Sequence, residues 1–97
     1  MLRHVVLFSW TPDATEEQKQ AVASELGELP GVIDAIRVYR FGPDAGINPA
    51  NCDFAVVADF DDVDGYVAYR DHPVLRKVLD DTINPIVASR SAIQFRI

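Results

Sequence analysis

Two periodicities of apolar residues alternate along the chain. From Arg3 to Trp10 the residues are mostly β-branched or aromatic, and Thr11-Pro12-Asp13 closes the run, the signature of a strand that ends in a turn. Thr15-Glu16-Glu17-Gln18 then has the spacing of a capping box, in which the Thr15 hydroxyl serves one orphan amide and the Gln18 side chain reaches back to another. The two early glutamates suit the positive end of a helix. Val22, Leu26 and Leu29 follow at i, i+4 and i+7, one apolar stripe on a helix that Pro30-Gly31 stops. Val32 to Phe41 sets Ile36 and Val38 against Arg37 and Tyr39 and predicts a second strand, followed by a loop from Gly42 to Asn51. That loop is longer than a hairpin needs, which points to a functional or interfacial role.

Phe54 to Phe60, nearly all apolar, predicts a third strand. Asp61-Asp62 introduces a short helix carrying Val63, Tyr66 and Val67, interrupted at His72-Pro73 because a residue before proline resists the helical region. Pro73 starts another helix with Val74, Leu75, Val78 and Leu79, which Asn84-Pro85 ends. Ala88 to Ile97 alternates Ile93, Phe95 and Ile97 with Arg90, Gln94 and Arg96 as the last strand. The order β-α-β-β-α-β, with its second helix broken, is the ferredoxin-like α+β pattern of a four-stranded antiparallel sheet with helices on one face.

The first and third strands are apolar on both faces. His4, Val6, Phe8 and Trp10 alternate with Val5 and Leu7, and Phe54, Val56, Ala58 and Phe60 alternate with Ala55 and Val57. Such strands need cover on two sides, and helices supply only one. At 97 residues and 48 % apolar content the chain is a single domain over residues 1–97 that buries about 60–65 % of its unfolded surface. A second copy is the economical cover, so a homodimer with sheets face to face is expected.

Fifteen Asp plus Glu against nine Lys plus Arg give a net charge of −6. This balance speaks against a nucleic-acid or anionic-membrane partner, whose recognition rests on Lys and Arg. Cys52 is the lone cysteine, and with only His4 and His72 beside it no disulfide and no zinc site of familiar spacing is expected. A reducing, cytoplasmic setting fits that usage. Val5 to Phe8 is far too short a run for a membrane span, and no export signal is read.

Few residues are left to carry chemistry. His4 shares a strand face with Val6 and Phe8, and is either a hydrogen-bonded core histidine or a proton-transfer group. Tyr69 and His72 stand at the helix break, where freed backbone groups accompany side chains able to bond a ligand. The alternatives there are Tyr66 and Tyr69 packing their rings and His72 capping the helix that Pro73 begins. Asp59 to Gly65 imitates a calcium loop but has Val63 at a ligand position and Arg70 where the bidentate glutamate belongs, so capping by Asp61 or Asp62 explains it better.

Leu2-Arg3-His4-Val5-Val6-Leu7-Phe8, the strand Asp53 to Phe60 with its acidic turn, and Tyr69-Arg70-Asp71-His72-Pro73 together resemble the stress-responsive A/B barrel (Dabb) family over nearly the whole chain. The resemblance implies ferredoxin-like subunits that pair through their sheets into a dimeric α/β barrel. It extends more distantly to polyketide cyclases of the olivetolic acid cyclase type, which need no cofactor and close a poly-β-ketone ring by aldol chemistry. In those enzymes an early strand His and the second His of His-Pro-x-His serve as acid and base, and the Tyr of Tyr-x-x-His-Pro positions substrate. His4 and Tyr69 match, His72 matches the first His of the motif, and Leu75 stands in place of the second.

Leu75 breaks the borrowed dyad and enlarges an apolar pocket between helices and sheet, lined by Val6, Phe8, Val22, Leu26, Leu75 and Leu79. Three readings follow: a cofactor-independent cyclase, lyase or isomerase using His4, Tyr69 and His72; a stress-related dimer that binds a small hydrophobic ligand without turnover; and a cofactor-free monooxygenase of the antibiotic-biosynthesis type, to which Trp10 lends faint support.

Overall fold

A computed structural model describes every residue from Met1 to Ile97. The N-terminal apolar run forms β1 (Leu2–Trp10), and the later ones form β2 (Val38–Pro43), β3 (Phe54–Phe60) and β4 (Val87–Arg96). They assemble into one antiparallel sheet in the order β2-β3-β1-β4, so the two strands that are apolar on both faces lie at its centre. The helices α1 (Glu16–Leu26), α2 (Val63–Arg70) and α3 (Pro73–Val78) pack over one face. The architecture is the expected ferredoxin-like α+β fold. No helix is long and apolar enough to cross a membrane.

Each helix begins on the residue that its chemistry predicts. Thr15 closes a complete capping box with Gln18, worth about 1 kcal/mol to α1. Asp62, rather than Asp61, caps α2 by accepting the Gly65 N–H at 2.9 Å. Asp61 is instead paired with Arg37. Leu29, the last residue of the α1 stripe, stays in the core although α1 ends at Leu26, because a tight turn over Leu29–Gly31 carries it there.

The second strand departs from the expected Val32–Phe41 and begins at Val38. Pro30-Gly31 start a series of tight turns, with the Ile33 N–H donating to Leu29 O at 2.8 Å and the Ile36 N–H to Ile33 O at 3.2 Å. Ile33 thereby enters the core from a turn, and its apolar neighbours mimic strand alternation. The strand instead runs on to Pro43, which an edge strand tolerates because its missing N–H leaves no ladder bond unmade. The helix from Pro73 also changes character, widening after Val78 into a π-type turn over Leu79–Ile83 and a 3-10 turn over Asn84–Ile86.

Cross-strand register sorts the sheet residues by face, since directly opposed residues project to the same side. His4 lies between Ala58 and Gln94, Val6 between Val56 and Ala92, and Phe8 between Phe54 and Arg90. These face the helices. Val5 between Val57 and Ile93, and Leu7 between Ala55 and Ser91, face away. On that outer face Ile93 is 60 % exposed and Phe95 44 %, and Arg3 holds Asp59 in a two-pronged ion pair at 2.7 and 2.8 Å. The guanidinium keeps the Asp59 carboxyl below the usual carboxylate range, chiefly by hydrogen bonding.

Candidate functional site

A cavity of about 380 Å³ opens between the helix side of the sheet and the α2, α3 and π-turn segment, within the usual range for small-molecule sites. Its floor comes from β1 and β3 through His4, Val6, Phe8 and Val56, and its roof from Tyr66, Tyr69, Leu75, Leu79 and Ile83. The widened turn matters here. Leu79 and Ile83, the first and last residues of this five-residue turn, both line the cavity, and π-type insertions often occur at functional sites.

His4 is 3 % exposed and is the histidine of the wall. Its Nδ1 lies 2.8 Å from Gln94 Nε2, across the β1–β4 ladder, and its ring centroid is 4.9 Å from Tyr66 and 6.1 Å from Tyr69. Burial, and then the nearby Arg90 cation, push the His4 pKa down to about 4. At neutral pH the ring is therefore uncharged. With the Gln94 amide nitrogen donating to Nδ1, the ring proton resides on Nε2, which is then a hydrogen-bond donor. A Gln94 amide turned end for end accepts from Nδ1–H instead and leaves Nε2 as the acceptor. Gln94 thus determines which role His4 plays.

Tyr69 presents its ring to the same cavity and is 5 % exposed. Its hydroxyl lies 2.8 Å from the Tyr39 hydroxyl on β2. Burial raises both phenols above their ordinary range, so each remains a protonated donor. When Tyr39 donates to Tyr69, the Tyr69 proton is free to turn toward a bound molecule.

The residues expected to form the site are not all brought together. His4, Tyr69, Val6, Phe8, Leu26, Leu75 and Leu79 line the cavity, whereas Val22 is fully enclosed in the core under α1 and His72 lies outside the lining. Nδ1 of His72 accepts the Val74 N–H at 3.1 Å and caps α3, so the imidazole serves the helix that Pro73 begins. The loop from Gly42 to Cys52 does not reach the cavity. It is tied down by Asp44, which accepts from Gly46 N and Asn51 Nδ2, and it borders Leu7 and Ala55 of the outer face. Ala50 there holds a positive φ of 67°, at a cost of about 1 kcal/mol.

Sequence reasoning missed Gln94, Tyr39 and three arginines of the wall, Arg70, Arg76 and Arg90. The alternation in β4 was the available signal, but alternation does not say which set of residues turns toward the helices.

With this geometry in place, comparison with known proteins decides the family. The profile of the stress responsive A/B barrel domain matches residues 2–97. The chain belongs to the stress responsive A/B barrel (Dabb) family. Among solved structures, this Dabb chain is similar to a dimeric ferredoxin-like protein of unknown function from Thermobifida fusca YX, with 44 % identity, a TM-score of 0.92 and coverage of 99 % of this chain and 90 % of that one. A dimeric ferredoxin-like protein from Bacteroides fragilis NCTC 9343 follows at 25 % identity and a TM-score of 0.80, with 99 % and 95 % of the chains covered. The hydroxynitrile lyase of Passiflora edulis shares the Dabb chain's fold at 16 % identity and a TM-score of 0.85, covering 99 % and 92 %. No curated protein matches the sequence.

Proposed function

We propose that the chain binds a small hydrophobic molecule in the cavity between its sheet and α2–α3, and that it does so as a homodimer whose outer sheet faces pack together. The observation that carries the binding reading is the wall itself: a cavity of about 380 Å³ whose lining is two-thirds hydrophobic, ten residues of fifteen. Water gains little in such a space, and an apolar ligand gains about 25 cal/mol for each Å² removed from solvent. His4 and Tyr69 add a small number of polar groups that orient a carbonyl or hydroxyl on that ligand.

The dimer reading rests on the outer face. Leu7, Ile93 and Phe95 are exposed large hydrophobic side chains close together in register, and a contiguous apolar face of this kind is an association surface. The 44 % identical Thermobifida fusca protein is dimeric, which supports the same assembly here.

A second reading, a cofactor-independent lyase or cyclase, is favoured by one observation: the His4 and Tyr69 rings, from the floor and the roof of the cavity, have centroids 6.1 Å apart. A hydroxynitrile lyase on the same fold adds an analogy of fold alone. Against it, a histidine with a pKa of about 4 is a weak base at neutral pH, and Leu75 lies in the wall where a second imidazole would complete the dyad. Binding is therefore the stronger reading, with neutral His4 acting as a hydrogen-bonding group.

Titration of ¹⁵N-labelled protein with octanamide tests the proposal. Shifts confined to amides around His4, Tyr69, Leu75 and Ile83, and their loss in Leu75→Trp, are expected. Shifts confined to the outer face, or none at millimolar ligand, overturn it.

A further inference from the structure

The charged residues of the cavity wall are all cations. Arg70, Arg76 and Arg90 contribute to it and no Asp or Glu does, although acids outnumber Lys plus Arg fifteen to nine in the chain. Arg70 on α2 is already engaged, holding Asp71 at 2.9 and 3.1 Å. Arg76 on α3 and Arg90 on β4 make no ion pair, since the five salt bridges of the fold involve Arg3, Lys19, Arg37, Arg70 and Lys77. Arg76 and Arg90 thus line one apolar cavity from opposite walls without an ion pair of their own; the carboxyl that Arg76 acts on, Asp71, is already held by Arg70.

The charge of Arg90 acts inside the cavity as well as at its mouth. It is the neighbouring charge that lowers the His4 pKa, and it also acts on the Tyr69 phenol. Register explains why: Arg90 stands opposite Phe8 on the helix side of the sheet, four residues along the strand from Gln94, which holds His4. A net charge of −6 repels anions at long range, so anion capture at this mouth depends on local contact with the arginine forks.

We propose that the cavity selects an apolar molecule bearing a carboxylate, its hydrocarbon part between the sheet and α3 and its acid group at Arg76 and Arg90. This rests on the reading of the cavity as a small-molecule site and names the class of molecule. The arginines set the specificity: planar, permanently charged forks match a carboxylate in two parallel hydrogen bonds, and the apolar wall behind them excludes small hydrophilic acids that bring no hydrocarbon to bury. The ligand therefore enters acid-last, with its tail toward Leu26 and Val56.

Calorimetric titration of the intact protein with octanoate and with octanamide, at neutral pH and low ionic strength, separates the two halves of the argument. The probes share a chain and differ in charge. Octanoate is expected to bind about tenfold more tightly, Arg90→Gln and Arg76→Gln to shrink that preference, and the double variant to abolish it. Lys77→Gln, an exposed cation of α3 paired with Asp81 and outside the cavity lining, is expected to leave it intact. A second readout is the His4 ring signal, which should titrate at higher pH with octanoate than with octanamide, since both ligands dehydrate the ring and only the acid offsets Arg90. Equal affinity for the two probes, or a preference that survives in the double variant, overturns the acid-selective reading and leaves the cavity as a binding site. Failure of both probes to bind overturns the cavity reading as well.

Discussion

Protonating His4 is the sharpest test of the geometry around the cavity. Its pKa falls from 6.5 in the unfolded chain to about 4 in the fold, so between those values the unfolded state binds more protons than the native one. Stability then rises with pH. The contribution is fully present above pH 6.5 and is lost progressively as pH falls toward 4. At about 1.4 kcal/mol per pKa unit the shift corresponds to roughly 3 kcal/mol across the whole window. His4 borders a cavity that admits water, and solvent screening reduces the expected loss to about 1–2 kcal/mol by pH 5. Asp59 and Asp71, both held below their ordinary value of 3.8, lose their share of stability at lower pH, so the two windows separate. The assay is urea unfolding followed by circular dichroism from pH 4.5 to 8, on the wild type and on His4→Gln, at one protein concentration because assembly also shifts stability. The variant is expected to show a shallower pH slope between pH 4.5 and 6.5. A wild-type His4 ring that titrates near 6.5 by NMR, or an unchanged slope in the variant, would falsify the claim that burial and Arg90 hold this imidazole neutral.

Three further outcomes follow from the packing. Leu75→Ala removes a side chain that is 4 % exposed and should lower the unfolding free energy by about 2–3 kcal/mol, at the low end for such a change because the new space joins an existing cavity; a loss below 0.5 kcal/mol by urea titration contradicts the placement of Leu75 in the wall. Tyr39→Phe breaks the 2.8 Å bond between the two phenols and should cost about 1 kcal/mol, with the Tyr69 ultraviolet absorbance moving as its partner is lost; an unaltered spectrum and stability refute that contact. Ile93→Asp places a charge on the exposed outer face and should turn a dimer into a folded monomer in sedimentation at micromolar concentration, whereas a dimer that survives the change does not use this face.

Much of the fold was legible because local chemistry dictated it. The capping box at Thr15, the Asp62 cap and the Pro73 start follow from backbone groups that lack partners at helix ends, and each is decided within four residues. The Val32–Arg37 segment departs from the expected strand because Ile33 and Ile36 are spaced like a strand while their amides bond back within a turn. Periodicity reports which residues seek the core and is silent on the path the backbone takes to deliver them. His72 illustrates a similar ambiguity: a histidine before proline can cap a helix or face a ligand, and only the 3.1 Å bond to the Val74 amide distinguishes them.

The order of elements, the two-sided apolar strands and the short list of polar groups available for chemistry can all be read along the chain. The tertiary structure alone decided how those groups meet. In β4 the residues Arg90, Gln94 and Arg96 alternate with Ile93 and Phe95, and the usual expectation places the apolar set against the helices. Register does the opposite, setting Gln94 beside His4 and Arg90 beside Phe8 on the helix side and leaving Ile93 and Phe95 outward. The reason is that β4 is an edge strand whose helix side borders an open cavity, so polar groups there keep their water while the apolar ones gather on the face away from the helices. Alternation along one strand fixes the period of this pattern, and only pairing with its neighbours fixes the phase.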